Sequence, residues 1–311
     1  MNVVFHAAAG PDLSARLASV ASSTLRITAC PETDDALLAR LLPETDVLWH
    51  VLKPATAAMI AAAPRLRLIQ KIGVGVNTID LEAARARGIP VCNLPGTNAQ
   101  AVAEMTLLLM LATLRRLPML HGATASGAGF RLDPSRLDGL GEISGRVVGL
   151  VGYGAVPRAL APVLTVLGAR VIHWARRPRT DGFRKLSDLL AESDIVSLHL
   201  PLTDETARII DAEALCRMKP GAVLINTARG GLVDQTALIE ALRTGHLAAA
   251  GLDVFGTEPP APDDPLLVLP NVVLTPHVAW LTTGTFDRSF ALAAENCRRL
   301  AAGEPLLHRV V

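Results

Sequence analysis

Three residues that could together bind an anion and transfer a proton fall in the last third of the chain: Arg229, Glu258 and His277. A guanidinium can grip a carboxylate through two hydrogen bonds, and a histidine can supply a proton near neutral pH. Taken singly, each has an ordinary interpretation: Arg229 as a surface ion pair, Glu258 as a loop charge, His277 as a core histidine. Each also follows a short apolar run, so a parallel sheet would bring all three to one edge.

Together the three suit hydride transfer to a 2-oxo acid. Arg229 would hold the carboxylate and the carbonyl oxygen, and His277 would protonate the forming alkoxide. Glu258 would orient His277 and favour its charged form. This combination predicts an oxidoreductase.

A glycine turn opposite these residues could bind the dinucleotide that such a reaction needs. Gly152 and Gly154 follow the apolar run 147–151, but Pro157 replaces the third glycine of the usual pattern. Two glycines alone leave open a nucleotide turn or a plain strand-to-helix bend. Because the missing N–H of Pro157 falls within the first helical turn, we expect pyrophosphate contacts from Ala155 and Val156.

The residues after the next strand bear on the choice of cofactor. An acid that would bind the adenosine ribose is absent there, and the chain instead reads Ala175-Arg176-Arg177. Two arginines can pair with a 2′-phosphate, so we predict a preference for NADPH over NADH. The alternative is that Arg176 and Arg177 merely solvate a loop.

Composition limits the class of protein. The chain has 311 residues, half of them apolar, and its 30 basic and 29 acidic residues nearly cancel. No excess charge points to nucleic acid or an anionic membrane, and the longest apolar run, 105–114, is about half a membrane span. We expect a cytoplasmic protein with four reduced cysteines and no metal site, since Cys30, Cys92, Cys216 and Cys297 lack metal-like spacing.

Short apolar runs alternate with helical ones through most of the chain, which predicts an α/β protein with parallel sheets. Six strands at 147–151, 170–174, 195–198, 222–226, 248–252 and 272–274 predict a doubly wound (Rossmann) cofactor domain over 96–282. The first ninety residues predict a smaller, flavodoxin-like α/β domain. A last helix at 285–302 would return to it, which makes that substrate domain discontinuous, 1–95 plus 283–311.

A long helix is predicted from about Ala99 to Arg116. It is apolar on nearly every face, so we expect it to lie between domains or between subunits, as in a homodimer. Residues 121–145 are predicted to form an irregular segment that crosses to the glycine turn.

Ordered motifs along nearly the whole chain resemble the D-isomer-specific 2-hydroxyacid dehydrogenase family. They are Lys71-Ile72-Gly73-Val74-Gly75, Asn93-Leu94-Pro95-Gly96-Thr97, Gly152-x-Gly154, His199-Leu200-Pro201, Asn226-x-x-Arg229-Gly230, Asp253-Val254-Phe255-x-x-Glu258-Pro259 and Thr275-Pro276-His277.

The resemblance implies a role for each matching residue. Arg229 binds the substrate carboxylate, His277 is the proton donor, and Glu258 holds His277. The backbone N–H groups around Val74 and Gly75 complete the carboxylate site. Cofactor contacts are implied for Gly152, Gly154 and Pro201 and, at the nicotinamide end, for Thr227, Ala228, Arg229 and Asp253. The expected contacts of Ala155, Val156, Arg176 and Arg177 come from the residues themselves, and the two arginines depart from the family's pattern.

The residues indicate the substrate less clearly than the cofactor. Asn77 and Trp280 stand where relatives often carry Asp and a small residue, and Trp280 could line the substrate pocket or pack the domain hinge. Small 2-oxo acids such as glyoxylate and hydroxypyruvate are the expected substrates. The alternatives are a phosphoglycerate or phosphite dehydrogenase, or a dinucleotide-sensing corepressor that binds NAD(H) and protein partners.

Overall fold

The computed structural model describes residues 1–176 and 181–311. These residues form two compact units, Met1–Asn98 with Leu281–Val311 (unit 1) and Ala99–Trp280 (unit 2). The unit bounds lie two or three residues from the predicted domain bounds. That unit 1 serves the substrate and unit 2 the cofactor stays a prediction.

Unit 1 is built on a five-stranded sheet in the spatial order β2-β1-β3-β4-β5, the flavodoxin-like order, and its strand pairs are parallel. All residues of β3 and β4 are buried, as expected for strands covered on both faces. The strands are β1 (Asn2–His6), β2 (Arg26–Cys30), β3 (Val47–His50), β4 (Leu68–Lys71) and β5 (Val91–Cys92). The helices between them are α1 (Pro11–Val20), α2 (Asp35–Leu41), α3 (Ala57–Ala61) and α4 (Leu81–Ala86).

Unit 2 carries the six-stranded parallel sheet that the sequence predicts, which confirms the doubly wound fold. Its order is β11-β10-β9-β8-β6-β7, and each pair of neighbours is parallel. The chain leaves β6 toward β7 and then returns to β8 on the other side, so the topological switch lies at the carboxyl end of β6. The strands are β6 (Val147–Val151), β7 (Arg170–Trp174), β8 (Ile195–Leu198), β9 (Ala222–Asn226), β10 (Leu247–Leu252) and β11 (Val272–Leu274).

The helices of unit 2 follow the prediction except before β6. The long apolar helix ends at Leu114, because Arg116 takes a left-handed backbone (φ 48°), and a second helix occupies part of the stretch predicted to be irregular. The helices are α5 (Ala99–Leu114), α6 (Leu117–Ala125), α7 (Ala155–Val166), α8 (Leu186–Glu192), α9 (Ala212–Arg217) and α10 (Gln235–Arg243).

Helix α5 packs on the sheet of unit 2 through one side only. Nine of its sixteen residues are buried, with Leu109 and Met110 in the same core as Leu150 of β6. Leu108 and Leu111 keep 51% and 38% of their surface exposed. That this helix lies between domains or between subunits therefore stays a prediction, which concerns its exposed side.

The last helix, α11 (Thr283–Ala302), belongs to unit 1. Its Phe290 stacks on Trp49 of β3 with ring centroids 5.6 Å apart, which fixes the chain's end against the first sheet. No helix in the part of the chain that the structure describes is long and apolar enough to cross a membrane.

Candidate active site

The glycine turn lies at the switch point of the unit 2 sheet. Gly152 follows β6 with φ +105°, and a Cβ there would come within 2.5 Å of the His199 carbonyl oxygen. Its N–H donates to the Trp174 carbonyl (2.9 Å), which ties the turn to the end of β7. Only glycine suits this position, because both the backbone conformation and the close approach exclude a side chain.

Helix α7 begins immediately after the turn with an open N-terminus. Gly154 is its N-cap, no side chain caps the helix, and nothing lies within 4 Å of a Cβ built on Gly154. Ala155 is exposed and Val156 half-buried, and both lie at the positive end of the helix, where the first N–H groups have no partner within the helix. Pro157 is buried in the first turn, where its missing N–H costs no helical hydrogen bond.

These features fit a dinucleotide pyrophosphate, which needs close backbone approach and unpaired N–H donors at a helix N-terminus. Other helices of unit 2 have a side chain that caps their N-terminus, unlike α7: Asp211 caps α9 and Asp234 caps α10.

The end of β7 presents one of the two arginines that the NADPH prediction names. The guanidinium of Arg176 lies 3.7 Å from the carboxylate of Glu205, and both side chains are about three-quarters exposed (76% and 77%). Arg177 lies outside the described residues. Nothing in the sequence indicates the approach of Glu205, because it sits on a separate loop, 29 positions further along the chain.

The loop after β8 closes the other side of the glycine turn. His199 donates its backbone N–H to Val151 (2.8 Å), and its Nε2 atom lies 2.9 Å from the Ser197 hydroxyl. Burial lowers the pKa of His199 to about 3, so its ring is neutral. Pro201 is exposed on the same loop, and its carbonyl accepts a hydrogen bond from Thr206 (2.7 Å).

The turn after β9 is folded by the side chain of Asn226. Its Oδ1 accepts the Ala228 N–H (3.0 Å), and its Nδ2 donates to the Arg229 carbonyl (2.9 Å). The Oγ1 atom of Thr227 lies 2.8 Å from Oγ1 of Thr106 on α5, and this hydrogen bond holds the turn against the helix. Asn226 is a positioning residue that the motif contains but the sequence alone does not assign.

Arg229 is the cation that this turn presents. Its Nη1 donates to the Ala228 carbonyl (2.6 Å), and it forms no ion pair with any carboxylate among the described residues. Burial lowers its pKa, an effect that the charge of Glu258 opposes, and a guanidinium remains charged at neutral pH all the same. A partly desolvated, unpaired guanidinium is suited to binding an anionic ligand.

Gly230 brings the Arg229 turn against the loop after β10. A Cβ on Gly230 would fall 1.9 Å from the Phe255 carbonyl oxygen, so the two backbones are in direct contact. Phe255 in turn donates its N–H to Oε1 of Glu258 (3.0 Å). The contact places the cation and the carboxylate on adjoining loops of one sheet edge.

Glu258 and His277 form the hydrogen bond that the sequence predicts. The Nδ1 atom of His277 lies 2.6 Å from Oε2 of Glu258. Burial alone would raise the pKa of Glu258, but its hydrogen bonds to His277 and Phe255, with the charges of His277 and Arg229, bring that pKa below its usual value. The Nε2 atom of His277 makes no hydrogen bond to any described residue, so it is available to a ligand.

His277 is held in a left-handed backbone conformation (φ 56°), which costs a residue other than glycine about 1–2 kcal/mol. Asp253, fully buried, supports this segment. Its Oδ1 accepts the hydroxyl of Thr275 (2.6 Å) and the N–H of Val278 (2.9 Å), and its Oδ2 accepts the N–H of Ala279 (2.9 Å). The sequence misses this use of Thr275.

The carboxylate of Asp253 is enclosed, and its contact with the nicotinamide end of the cofactor stays a prediction. The carboxylate has no exposed surface, and its hydrogen bonds go to the segment that carries His277. Burial raises its pKa, against the effect of those bonds. Asp253 therefore positions the histidine segment.

Val74 and Gly75 lie in unit 1, in the loop after β4. Gly73 starts this loop with φ +143°, and its carbonyl accepts the Leu94 N–H (2.8 Å). Asn93 donates its side-chain amide to the Val74 carbonyl (2.9 Å). The loop is thus braced from the neighbouring strand, and its part in binding a carboxylate with Arg229 stays a prediction.

Beyond these groups, no cluster of three or more metal-ligating side chains occurs in residues 1–176 or 181–311. All four cysteines are free, three of them buried, with Cys216 exposed.

Comparison with known proteins shows likeness over most of the chain. Residues 107–279 match the family model described as "D-isomer specific 2-hydroxyacid dehydrogenase, NAD binding domain". A D-3-phosphoglycerate dehydrogenase of Mycobacterium tuberculosis is 42% identical over 284 residues, which are 88% of this chain and 52% of the relative. The chain thus spans about half the length of that relative.

Two further likenesses cover both proteins more evenly. A glyoxylate reductase of Aeropyrum pernix is 40% identical over 273 residues, 84% of this chain and 81% of the relative. A crystal structure of a protein from Thermus thermophilus superposes with a TM-score of 0.89 at 38% identity, and the superposition covers all of both chains. The likeness therefore extends over unit 1 as well as unit 2.

Proposed function

The chain belongs to the D-isomer-specific 2-hydroxyacid dehydrogenase family, and from that premise we propose that it reduces a small 2-oxo acid to the D-2-hydroxy acid. The reduced nicotinamide would supply the hydride. The observation that carries the proposal is the His277–Glu258 hydrogen bond beside an unpaired Arg229. Those three groups supply the proton, its orientation and the anion-binding charge that reduction of an oxo acid requires.

Each side chain has one part in the reaction. Arg229 binds the carboxylate and polarises the neighbouring carbonyl, because charge builds on that oxygen as the hydride arrives. His277 donates the Nε2 proton to the forming alkoxide and takes it back in the reverse direction. Glu258 holds Nδ1, which fixes the ring and places a carboxylate charge beside it.

The cofactor would be held by the open end of α7 and the strand-end loops. Ala155 and Val156 offer N–H groups to the pyrophosphate, while Gly152 and Gly154 leave room for it. Thr227 and Ala228, with Pro201 on the neighbouring loop, would meet the nicotinamide half. We propose NADPH as the preferred form, supported by Arg176 at the end of β7.

Glyoxylate and hydroxypyruvate are the proposed substrates, in keeping with the name of the Aeropyrum relative. A second candidate is oxidation of 3-phosphoglycerate, favoured by the 42% identity to the mycobacterial enzyme. A phosphorylated substrate needs a further cation besides Arg229, so the two candidates differ in their demand on the site.

A substrate panel tests the proposal. Purified protein with NADPH or NADH is offered glyoxylate, hydroxypyruvate, pyruvate and 3-phosphohydroxypyruvate, and cofactor oxidation is followed by its absorbance. We expect turnover of a small unphosphorylated acid that is lost in His277→Gln. Binding of cofactor without turnover of any acid would instead favour a dinucleotide sensor, and turnover of the phosphorylated acid alone would favour the second candidate.

We also propose that the chain forms a homodimer through α5 in the cytoplasm. The exposed Leu108 and Leu111 support an interface on that helix. Light scattering should give about twice the 32.8 kDa chain mass, and Leu111→Glu should give a monomer. Cell fractionation tests the compartment.

A further inference from the structure

The indole of Trp280 touches the histidine segment from its carboxyl side. Its Nε1 donates to the carbonyl oxygen of His277 at 3.1 Å. A half-buried tryptophan usually finds one acceptor for its N–H, and here the acceptor is the backbone of the residue that the proposed function makes the proton donor.

The rest of that segment is fixed by other groups. The N–H of His277 donates to the carbonyl oxygens of Asp253 (2.8 Å) and Thr275 (3.1 Å). The N–H groups of Val278 and Ala279 donate to the Asp253 carboxylate. Among the described residues, the indole is the one group that holds the His277 carbonyl.

That carbonyl matters because the backbone of His277 is left-handed. Such a conformation persists in a residue other than glycine only where its surroundings determine it. The peptide after His277 is held at its N–H by the Asp253 carboxylate and at its carbonyl by the indole, so release of the carbonyl removes one of these two anchors and lets the peptide tilt. The ring would then lose the geometry that puts Nδ1 on Glu258 and leaves Nε2 open.

We propose that Trp280 is a positioning residue, whose indole N–H holds the His277 backbone so that the imidazole keeps its proton-donating orientation. The inference rests on the proposed function, because it gives His277 a task that depends on orientation. It adds a role to the two that the sequence leaves open for Trp280, because lining a pocket or packing a hinge would not require the indole N–H.

Trp280→Phe tests the inference, since phenylalanine keeps an aromatic ring and lacks the N–H. The matched control is Trp49→Phe, which removes a buried indole from unit 1. We expect kcat of Trp280→Phe to fall about 3- to 10-fold, the effect of one lost hydrogen bond, with KM for the acid and Kd for NADPH within about twofold of wild type. Trp49→Phe should lower Tm and leave kcat unchanged. An unchanged kcat in Trp280→Phe, or a rise in KM alone, would overturn the proposal.

A second measurement needs no turnover. Hydrogen exchange of the peptide that covers 274–282 reports the opening of this segment. We expect Trp280→Phe to accelerate exchange at Val278 and Ala279 about 3- to 10-fold, and Trp49→Phe to leave it unchanged. Equal exchange in wild type and Trp280→Phe would contradict the inference. If His277→Gln retained full activity, the proposed function would fail, while the exchange rates would still decide whether Trp280 holds the segment.

Discussion

The Nδ1 atom of His277 and the Oε2 atom of Glu258 lie 2.6 Å apart, although 19 positions separate the two residues in the chain. The hydrogen bond leaves Nε2 as the free end of the imidazole and fixes the direction in which a proton can be given. The site and its surroundings lead to four predictions.

Glu258→Gln should lower kcat for reduction about 10- to 100-fold, because the amide keeps a hydrogen bond to Nδ1 but removes the carboxylate charge from beside the ring. KM for the acid should change little. Steady-state kinetics at neutral pH measure both constants. The control is Glu213→Gln, an exposed acid on α9 paired with Arg217. Wild-type kcat in Glu258→Gln, or an equal loss in Glu213→Gln, would contradict the assigned role.

Arg229→Lys should raise KM for the 2-oxo acid about 10-fold or more and lower kcat, because an ammonium cannot form the planar, two-pronged contact of a guanidinium. Arg217→Lys, on the surface of α9, gives the same change of chemistry away from the site. Dead-end inhibition by oxamate, a 2-oxo acid mimic, would check that the lost step is binding. Wild-type KM and oxamate affinity in Arg229→Lys would remove Arg229 from carboxylate binding.

Arg176 and Glu205 should have opposite effects on the choice of cofactor. The exposed carboxylate of Glu205 lies 3.7 Å from the guanidinium and competes with a 2′-phosphate for it. Since such surface pairs are worth at most about 1 kcal/mol, we expect Glu205→Gln to lower KM for NADPH about 2- to 5-fold and Arg176→Ala to raise it by a similar factor. KM for NADH should stay constant in both variants. Parallel shifts for the two cofactors would show that the pair does not read the 2′-phosphate.

Acid should destabilise the protein through His199, whose pKa burial lowers from 6.5 to about 3. Below pH 6.5 this histidine is protonated in the unfolded chain, whereas in the folded chain it stays neutral down to about pH 3. The stability that is present above pH 6.5 is therefore lost as pH falls from 6.5 to about 3. This histidine should contribute a slope of at most about 1.4 kcal/mol per pH unit. His199→Gln should flatten the dependence, as measured by urea unfolding at about pH 7, 6 and 5. The same slope in both proteins would refute the assignment.

Much of the fold could be predicted because its elements depend on local pattern. The six strands of unit 2 appear at the predicted places, since each contains a short apolar stretch and the four inner strands, β6 and β8 to β10, are mostly buried. The end of α5 and the start of α6 escaped prediction. Nothing in the local pattern shows that Arg116 would turn left-handed and let a second helix begin at Leu117.

The site divides in the same way. Arg229, Glu258 and His277 stand out by chemistry and by their place at strand ends, so their residue types carry the signal. The supporting roles of Asn226, Thr275 and Trp280 cannot be predicted in this way. An amide, a hydroxyl and an indole are common in loops, and only the tertiary structure shows which atoms they bind.

The sequence by itself determines the family, the order of the elements and which side chains could carry the reaction, because those depend on residue type and spacing. Only the tertiary structure decides that Asp253 is enclosed and binds the histidine segment, and that Glu205 lies beside Arg176. Both results arise where chain segments distant in sequence meet. Hydrogen bonds and charges act over a few ångströms, and the fold alone sets those distances.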